Sequence, residues 1–203
     1  MTPSKMVKAV ARSVRDWAYD VVSMGYPGLV IHGRIAAEPK HLAPGWVGYD
    51  FGKAFGHPVK IVNDAAMQAL GSYEGGRMLF LGLGTGLGSA MVVEGEVQPM
   101  ELAHLPYRKE RTYEDYVGLK GFERLGVRRW RKHVKRVIEI WRTALEPDYI
   151  VVGGGNADRL TRLPKDVRLG DNANAFLGGF RLWRKSRNPA QGHRGRSLAP
   201  IAR

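Results

Sequence analysis

The chain has 203 residues and a formal net charge of +13, with 44% hydrophobic and 25% charged residues, a globular composition with room for one or two domains. It has no cysteine, which excludes disulfides and thiolate metal sites and suits a reducing, cytoplasmic setting. No run of eighteen apolar residues occurs and MTPSKMVKAVARSVRDW is too polar for a secretory signal, so no membrane partner is expected.

In chain order, the spacing of Val7, Val10, Ala11, Val14, Trp17 and Ala18 predicts a helix over 4–19, capped by Ser4. A strand follows over 20–26, ended by Pro27-Gly28, then a short apolar stretch at 29–31 and a Pro- and Gly-rich loop over 39–49. Residues 51–55 form a turn or two of helix, and 59–62 a strand. Asn63-Asp64, both favoured N-caps, open a helix over 65–73. In MLFLGLGTGLGSAM, residues 78–91, an apolar run gives way to alternate glycines and then to a second small, apolar run: strand, glycine turn, strand. Beyond a charged segment at 108–115 comes a basic amphipathic helix, about 127–145, with Trp130, Val134, Val137, Ile138 and Trp141 on its inner stripe. A strand at 149–152 runs into Gly153-Gly154-Gly155-Asn156, and a helix over 173–183 closes the domain. Strands alternating with helices specify an α/β fold. Residues 185–203, basic and rich in Gly, Pro and Ser, are expected to be a disordered tail. No aromatic platform accompanies the tail, so a nucleic-acid partner is not expected.

Four groups of residues suit chemistry. Gly84, Thr85 and Gly86 remove side chains from a turn and expose successive amides, an anion cradle to which Thr85 adds a hydroxyl; the same glycines also suit a plain hairpin. Asp64 stands at a strand-to-helix junction, where α/β sheets bind ligands and where a carboxylate can take a proton from an attacking hydroxyl; the other reading is a helix cap. Glu101 and His104, three apart, share a helix face and lie in one segment with Glu114. Such a cluster suits the hydroxyls of a sugar better than a metal, and a solvated charge cluster is the plain alternative. Gly154, Gly155 and Asn156 permit a close approach of a nucleotide, or simply make a turn.

In their order along the chain, GYPGLVIHGR, APGWVGYDF, VNDAAMQALGSYEGG, LFLGLGTGLGSA, ELAHLPY, TYEDYVG, VVGGGN and LGDNANAFLGGFRLW resemble the ROK family of sugar kinases, especially its polyphosphate glucokinase-like branch, over about residues 4–184. The resemblance implies the actin-like, ribonuclease H-like ATPase fold, with two lobes around a cleft: 1–75 as a partial first lobe and 76–184 as the second. It implies transfer of phosphate from ATP or polyphosphate to the 6-hydroxyl of a hexose, with Asp64 as base. Asn63, Glu101, His104 and Glu114 would hold the sugar, Gly84, Thr85 and Gly86 the donor phosphates, and Gly154, Gly155 and Asn156 a nucleotide. It further implies magnesium with the donor, no zinc because PYRKERTY replaces a Cys-rich motif, and compatibility with a homodimer. The family's opening strand bears Asp-x-Gly-Gly-Thr. Here Asp50-Phe51-Gly52 has only its first spacing and continues Lys53-Ala54, so the first lobe is expected to lack its opening strands. The alternative function is a non-catalytic sugar-binding remnant of the same family.

Overall fold

Helix α1 (Pro3–Ser13) begins where the Thr2 hydroxyl accepts from the Lys5 amide, with Pro3 at the first helical position. It is shorter than its apolar spacing predicts, and Thr2 rather than Ser4 caps it. Only Pro3 and Val7 are buried, while Trp17 is 70% exposed, so the later turns lack the packing that stabilises most helices. The computed structural model describes residues 1–39 and 42–184; the tail expected at 185–203 lies outside them. Strand β1 (Val22–Tyr26) pairs in parallel with β4 (Val59–Asn63), Gly25 opposite Val62 and Tyr26 opposite Asn63. Between them come a small hairpin, β2 (Val30–Ile31) and β3 (Arg34–Ile35), and helix α2 (Phe51–Phe55). A local core of Val7, Tyr26, Ile35, Trp46 and Phe51 holds this region together. Glu38 staples its long loop, accepting from the Gly45 and Trp46 amides at 3.0 Å and from Val47 at 3.1 Å.

Helix α3 (Asp64–Ser72) follows β4 without a linker. After it, β5 (Arg77–Leu83) and β6 (Leu87–Val93) form the expected hairpin, and β7 (Glu96–Met100) extends it. A 3₁₀ turn (Leu102–His104) leads to a short hairpin, β8 (Pro106–Arg108) and β9 (Arg111–Thr112), and to α4 (Tyr113–Val117). The basic helix α5 (Leu119–Leu145) is two pieces joined at Gly126, whose φ of 69° is not helical, so its main part starts near the predicted position. Strand β10 (Tyr149–Gly153) is followed by β11 (Val167–Leu169), too short to show in sequence periodicity, and by α6 (Asn174–Arg181).

The larger sheet has the order β11-β10-β5-β6-β7, with β11, β10 and β5 parallel. Strand β5 shows why it is central. Leu79 and Leu81 face a core shared with Trp130, Val134 and Ile138 of α5, while Met78 and Phe80 face Ala65, Ala66 and Ala69 of α3. The result is a three-layer α/β/α unit. Helix α6 crosses α3 at two glycines: a Cβ on Gly71 would strike the Asn174 carbonyl, and one on Gly178 the Met67 carbonyl. Phe176 and Phe180 of α6 point outward, 76% and 75% exposed. Among the described residues, no helix is long and apolar enough to cross a membrane.

Candidate functional site

Asp64 occupies the first position of α3, at the C-terminal end of β4. The Asn63 side-chain Oδ1 caps the helix, accepting from the Ala65 and Ala66 amides at 2.9 and 3.3 Å, and its Nδ2 donates to Gly28 O at 3.1 Å. Asn63 thus fastens the loop after β1 to the helix start, which leaves the adjacent Asp64 carboxyl to point elsewhere. That carboxyl accepts from the Ala65 amide at 2.8 Å. Solvent reaches it from one side, but the protein around it desolvates the charge. Desolvation outweighs the Ala65 hydrogen bond, and the pKa is raised above the ordinary aspartate value. An accessible carboxylate with increased proton affinity is suited to accept a proton.

The start of α3 lies directly on the glycine hairpin. Gly88 is opposite Gly82, and a Cβ on it would come 2.6 Å from Ala65 Cβ, so any side chain there would push Asp64 away from the turn. The turn itself is held from below. Leu119 N donates to Thr85 O at 3.2 Å, Gly84 N to Gly86 O at 3.1 Å, and Leu87 N to the Glu114 carboxylate at 3.0 Å. No described protein group accepts from the Thr85 and Gly86 amides, and Thr85 is exposed. The turn therefore presents two amides and a hydroxyl on a braced backbone, the donor set of an anion cradle. Glu114, grouped with Glu101 and His104 by sequence position, spends one carboxylate oxygen on this brace.

Glu101 and His104 sit at the same end of the sheet. Met100 is opposite Ser89, whose hydroxyl donates to Met100 O at 2.8 Å, and the 3₁₀ turn follows at once. Residues three apart eclipse in a 3₁₀ turn, and His104 Nε2 lies 3.7 Å from the Glu101 carboxylate. Both side chains are half exposed.

Gly154 and Asn156 are brought against the glycine turn from 70 residues away. Gly154 has φ 85°, and a Cβ there would lie 2.6 Å from Leu83 O. Asn156 is 7% exposed; its backbone amide donates to Leu83 O at 2.9 Å, and its side chain donates to Gly84 O at 3.2 Å and accepts from Arg159. The structure thus gives Asn156 the work of tying two loops together. Gly154 and Gly155 line an open cleft of about 360 Å³ with Asp158, Gly170, Asp171 and Asn172, beyond the C-terminal ends of β10 and β11. That is where parallel sheets bind ligands.

Sequence reasoning missed Gly88 as the seat of α3, Gly25, which packs on the Asp64 backbone, and the Gly170-Asp171-Asn172 rim. The first lay in plain view as one of four alternating glycines. The last carried a turn signal, Gly-Asp-Asn, but the strand before it was not recognised. Among the described residues there is no group of three or more His, Asp or Glu side chains arranged to hold a metal.

No protein-family model matches the chain. It is 27% identical to a polyphosphate glucokinase of Mycobacterium leprae (strain TN) over 79% of its length, and it spans 54% of that relative. Its fold matches the crystal structure of an inorganic polyphosphate/ATP-glucomannokinase from Arthrobacter sp. strain KM, with TM-score 0.71 and 25% identity, covering 87% of this chain and 81% of the other. It also matches the ROK hexokinase from Thermus thermophilus in fold, with TM-score 0.67 and 18% identity over 87% of this chain and 85% of the other.

Proposed function

We propose that this chain, ROK-type in fold and polyphosphate glucokinase-like in sequence, transfers a phosphoryl group from ATP or polyphosphate to the 6-hydroxyl of a hexose, glucose being the first candidate. The observation that carries the reading is the juxtaposition at Gly88: a carboxylate of raised proton affinity packed beside a braced turn with unused amides. Asp64 accepts the proton of the attacking hydroxyl. Glu101 and His104 orient the remaining hydroxyls, assisted by the free amide hydrogen of Asn63 and the second carboxylate oxygen of Glu114. The Gly84–Gly86 turn holds the donor phosphate, and the cleft at Gly154, Gly155 and Asp171 receives the rest of a nucleotide. Phosphoryl transfer is mostly positioning and charge neutralisation, so a base, a hydroxyl clamp and a phosphate cradle suffice in kind.

Magnesium enters with the donor. It would sit on the donor's phosphates and would need no more than one or two carboxylates from the chain, with Asp64 standing beside the turn to offer one. When bound, it neutralises charge on the transferred group. The absence of cysteine fits a cytoplasmic setting without zinc. The two-lobe division at residue 75 belongs to the same proposal, with α3 as the element that touches both sheets.

A calorimetric glucose titration, run beside a coupled kinase assay with each donor, tests the reading. Glucose binding with turnover supports it. Glucose binding without turnover in either donor favours the non-catalytic sugar-binding alternative, and no glucose binding overturns both.

A further inference from the structure

Glu38 stands in the loop between β3 and α2, exposed, and outside the groups assigned to the sugar or the donor. Its carboxylate accepts from three successive amides. Gly45 and Trp46 share one oxygen at 3.0 Å, and Val47 takes the other at 3.1 Å. The Trp46 amide foremost, then those of Val47 and Gly45, outweigh desolvation and hold its pKa below the usual glutamate value. The carboxylate is therefore an anion, and the clamp closed, at neutral pH. What the clamp seats is Trp46. The indole is 4% exposed, its Nε1 donates to Ala43 O at 2.8 Å, and its ring lies 5.7 Å from Tyr26 and 6.0 Å from Phe51.

Tyr26 is the next link. It ends β1, is 1% exposed, and donates its hydroxyl to Ala37 O, beside Glu38, at 2.8 Å. Burial first, and then the Glu38 charge, raise its pKa, so the carboxylate is within electrostatic reach of the phenol. The Tyr26 ring also touches Gly28: a Cβ there would come 2.8 Å from Cε1, and Gly28 N donates to Tyr26 O at 2.9 Å. Gly28 O in turn accepts from Asn63 Nδ2, beside Asp64. We propose that Glu38 is a positioning residue of the sugar site: by clamping the Gly45–Val47 amides it seats Trp46 on Tyr26, and so fixes Gly28 and the side-chain amide of Asn63.

The inference rests on the kinase reading for what Asn63 does and adds what aims it. Asn63 Nδ2 carries two hydrogens in one plane. The bond to Gly28 O uses one, and thereby sets the direction of the other, the one offered to a sugar hydroxyl. A shift of Gly28 turns that second hydrogen away. Asp64 is held differently, through the contacts of Gly25 with its backbone and of Gly88 with Ala65. Losing the clamp therefore weakens sugar binding and leaves the proton-accepting group in place. A plain loop staple would instead cost stability and spread its effect over every kinetic constant.

The experiment compares Glu38→Ala and Glu38→Gln with Thr2→Ala, which removes the α1 cap and loosens the same local core without touching the clamp. Three readouts are taken on the full chain: the Asn63 side-chain amide resonance without sugar, glucose binding by calorimetry, and the kinetic constants. Glu38→Ala should shift or broaden the Asn63 resonance. It should also weaken glucose binding and raise the glucose KM by about tenfold or more, with kcat and donor KM little changed. Glu38→Gln, which keeps its shape and one acceptor oxygen, should give a smaller change of the same kind and stays informative if the alanine variant does not fold. Thr2→Ala should lower Tm and leave the Asn63 resonance and the glucose KM unchanged. An unmoved Asn63 resonance in both Glu38 variants overturns the proposal, as does a glucose effect no larger than that of Thr2→Ala. A wild-type chain that binds no glucose overturns the kinase reading instead, and the sugar-free Asn63 resonance then decides the clamp by itself.

Discussion

In the five-stranded sheet, β5 sends alternate side chains into two cores and has a hydrogen-bonded neighbour on each side. In the two-stranded sheet, β1 and β4 have only each other among the described strands, and the local core is a handful of residues beneath the Trp46 loop. The candidate base belongs to neither sheet's interior. It stands at the seam, where α3 leaves the small sheet and docks on the large one. The large-sheet side carries the braced glycine turn together with Glu101 and His104, and the small-sheet side carries Asn63 and the loop it fastens. Parts of a fold with fewer buried contacts open more readily, so the small sheet is expected to open before the large one.

The largest effect should come from the seam. Asp64→Asn should lower kcat for hexose phosphorylation by about a hundredfold or more with sugar affinity little changed, since the amide keeps the shape and loses the base. Near-normal kcat in that variant would remove Asp64 from the mechanism. The comparison between sheets is sharpened next by hydrogen exchange. Amides of Val22–Tyr26 and Val59–Asn63 should exchange at least about tenfold faster than those of Met78–Leu81 and Ile150–Val152. Equal protection would mean that the two sheets open as one unit.

Gly178→Ala should separate α6 from α3, because the added methyl meets the Met67 carbonyl and backbone must shift. Overpacking of this kind costs about 1–3 kcal/mol, seen as a fall of several degrees in Tm. An unchanged Tm would show that the crossing is looser than described. Glu114 distinguishes cradle from clamp. Glu114→Ala leaves the Leu87 amide without its acceptor, at about 1–3 kcal/mol, and should raise the donor KM more than the glucose KM; the reverse pattern would return Glu114 to the sugar.

The smallest effect is a pH dependence of stability. The folded-state pKa of Asp64 lies above its unfolded value, so the native state binds the proton more tightly and stability falls as pH rises from about the unfolded aspartate value through the folded one. Asp64→Asn should therefore raise Tm at neutral pH, and the gain should fade on acidification through that window. A variant less stable than wild type at pH 7 would contradict the desolvation argument.

Much of this is legible in the sequence alone. The glycine hairpin, the Asn63 cap and the inner stripe of α5 depend on neighbours a few residues apart, and side-chain periodicity with glycine and Asn preferences reports such local rules directly. The α/β class follows from their alternation. Helix α1 was overextended because periodicity describes a face and not whether anything covers it; Val10, at 37%, and Trp17 remain exposed. Strand β11 escaped because three residues carry no period, and with it went the Gly170–Asn172 rim. The roles of Glu114 and Asn156 lay further out of reach. Each is a polar residue in a motif, and either could have faced a ligand. What assigns part of their bonding to Leu87 and Gly84 is the parallel pairing of β10 with β5 and the docking of α4 under the turn, contacts spanning 27 and 72 residues. A polar side chain satisfies whichever backbone group packing leaves unpaired nearby, and no local pattern records which group that will be.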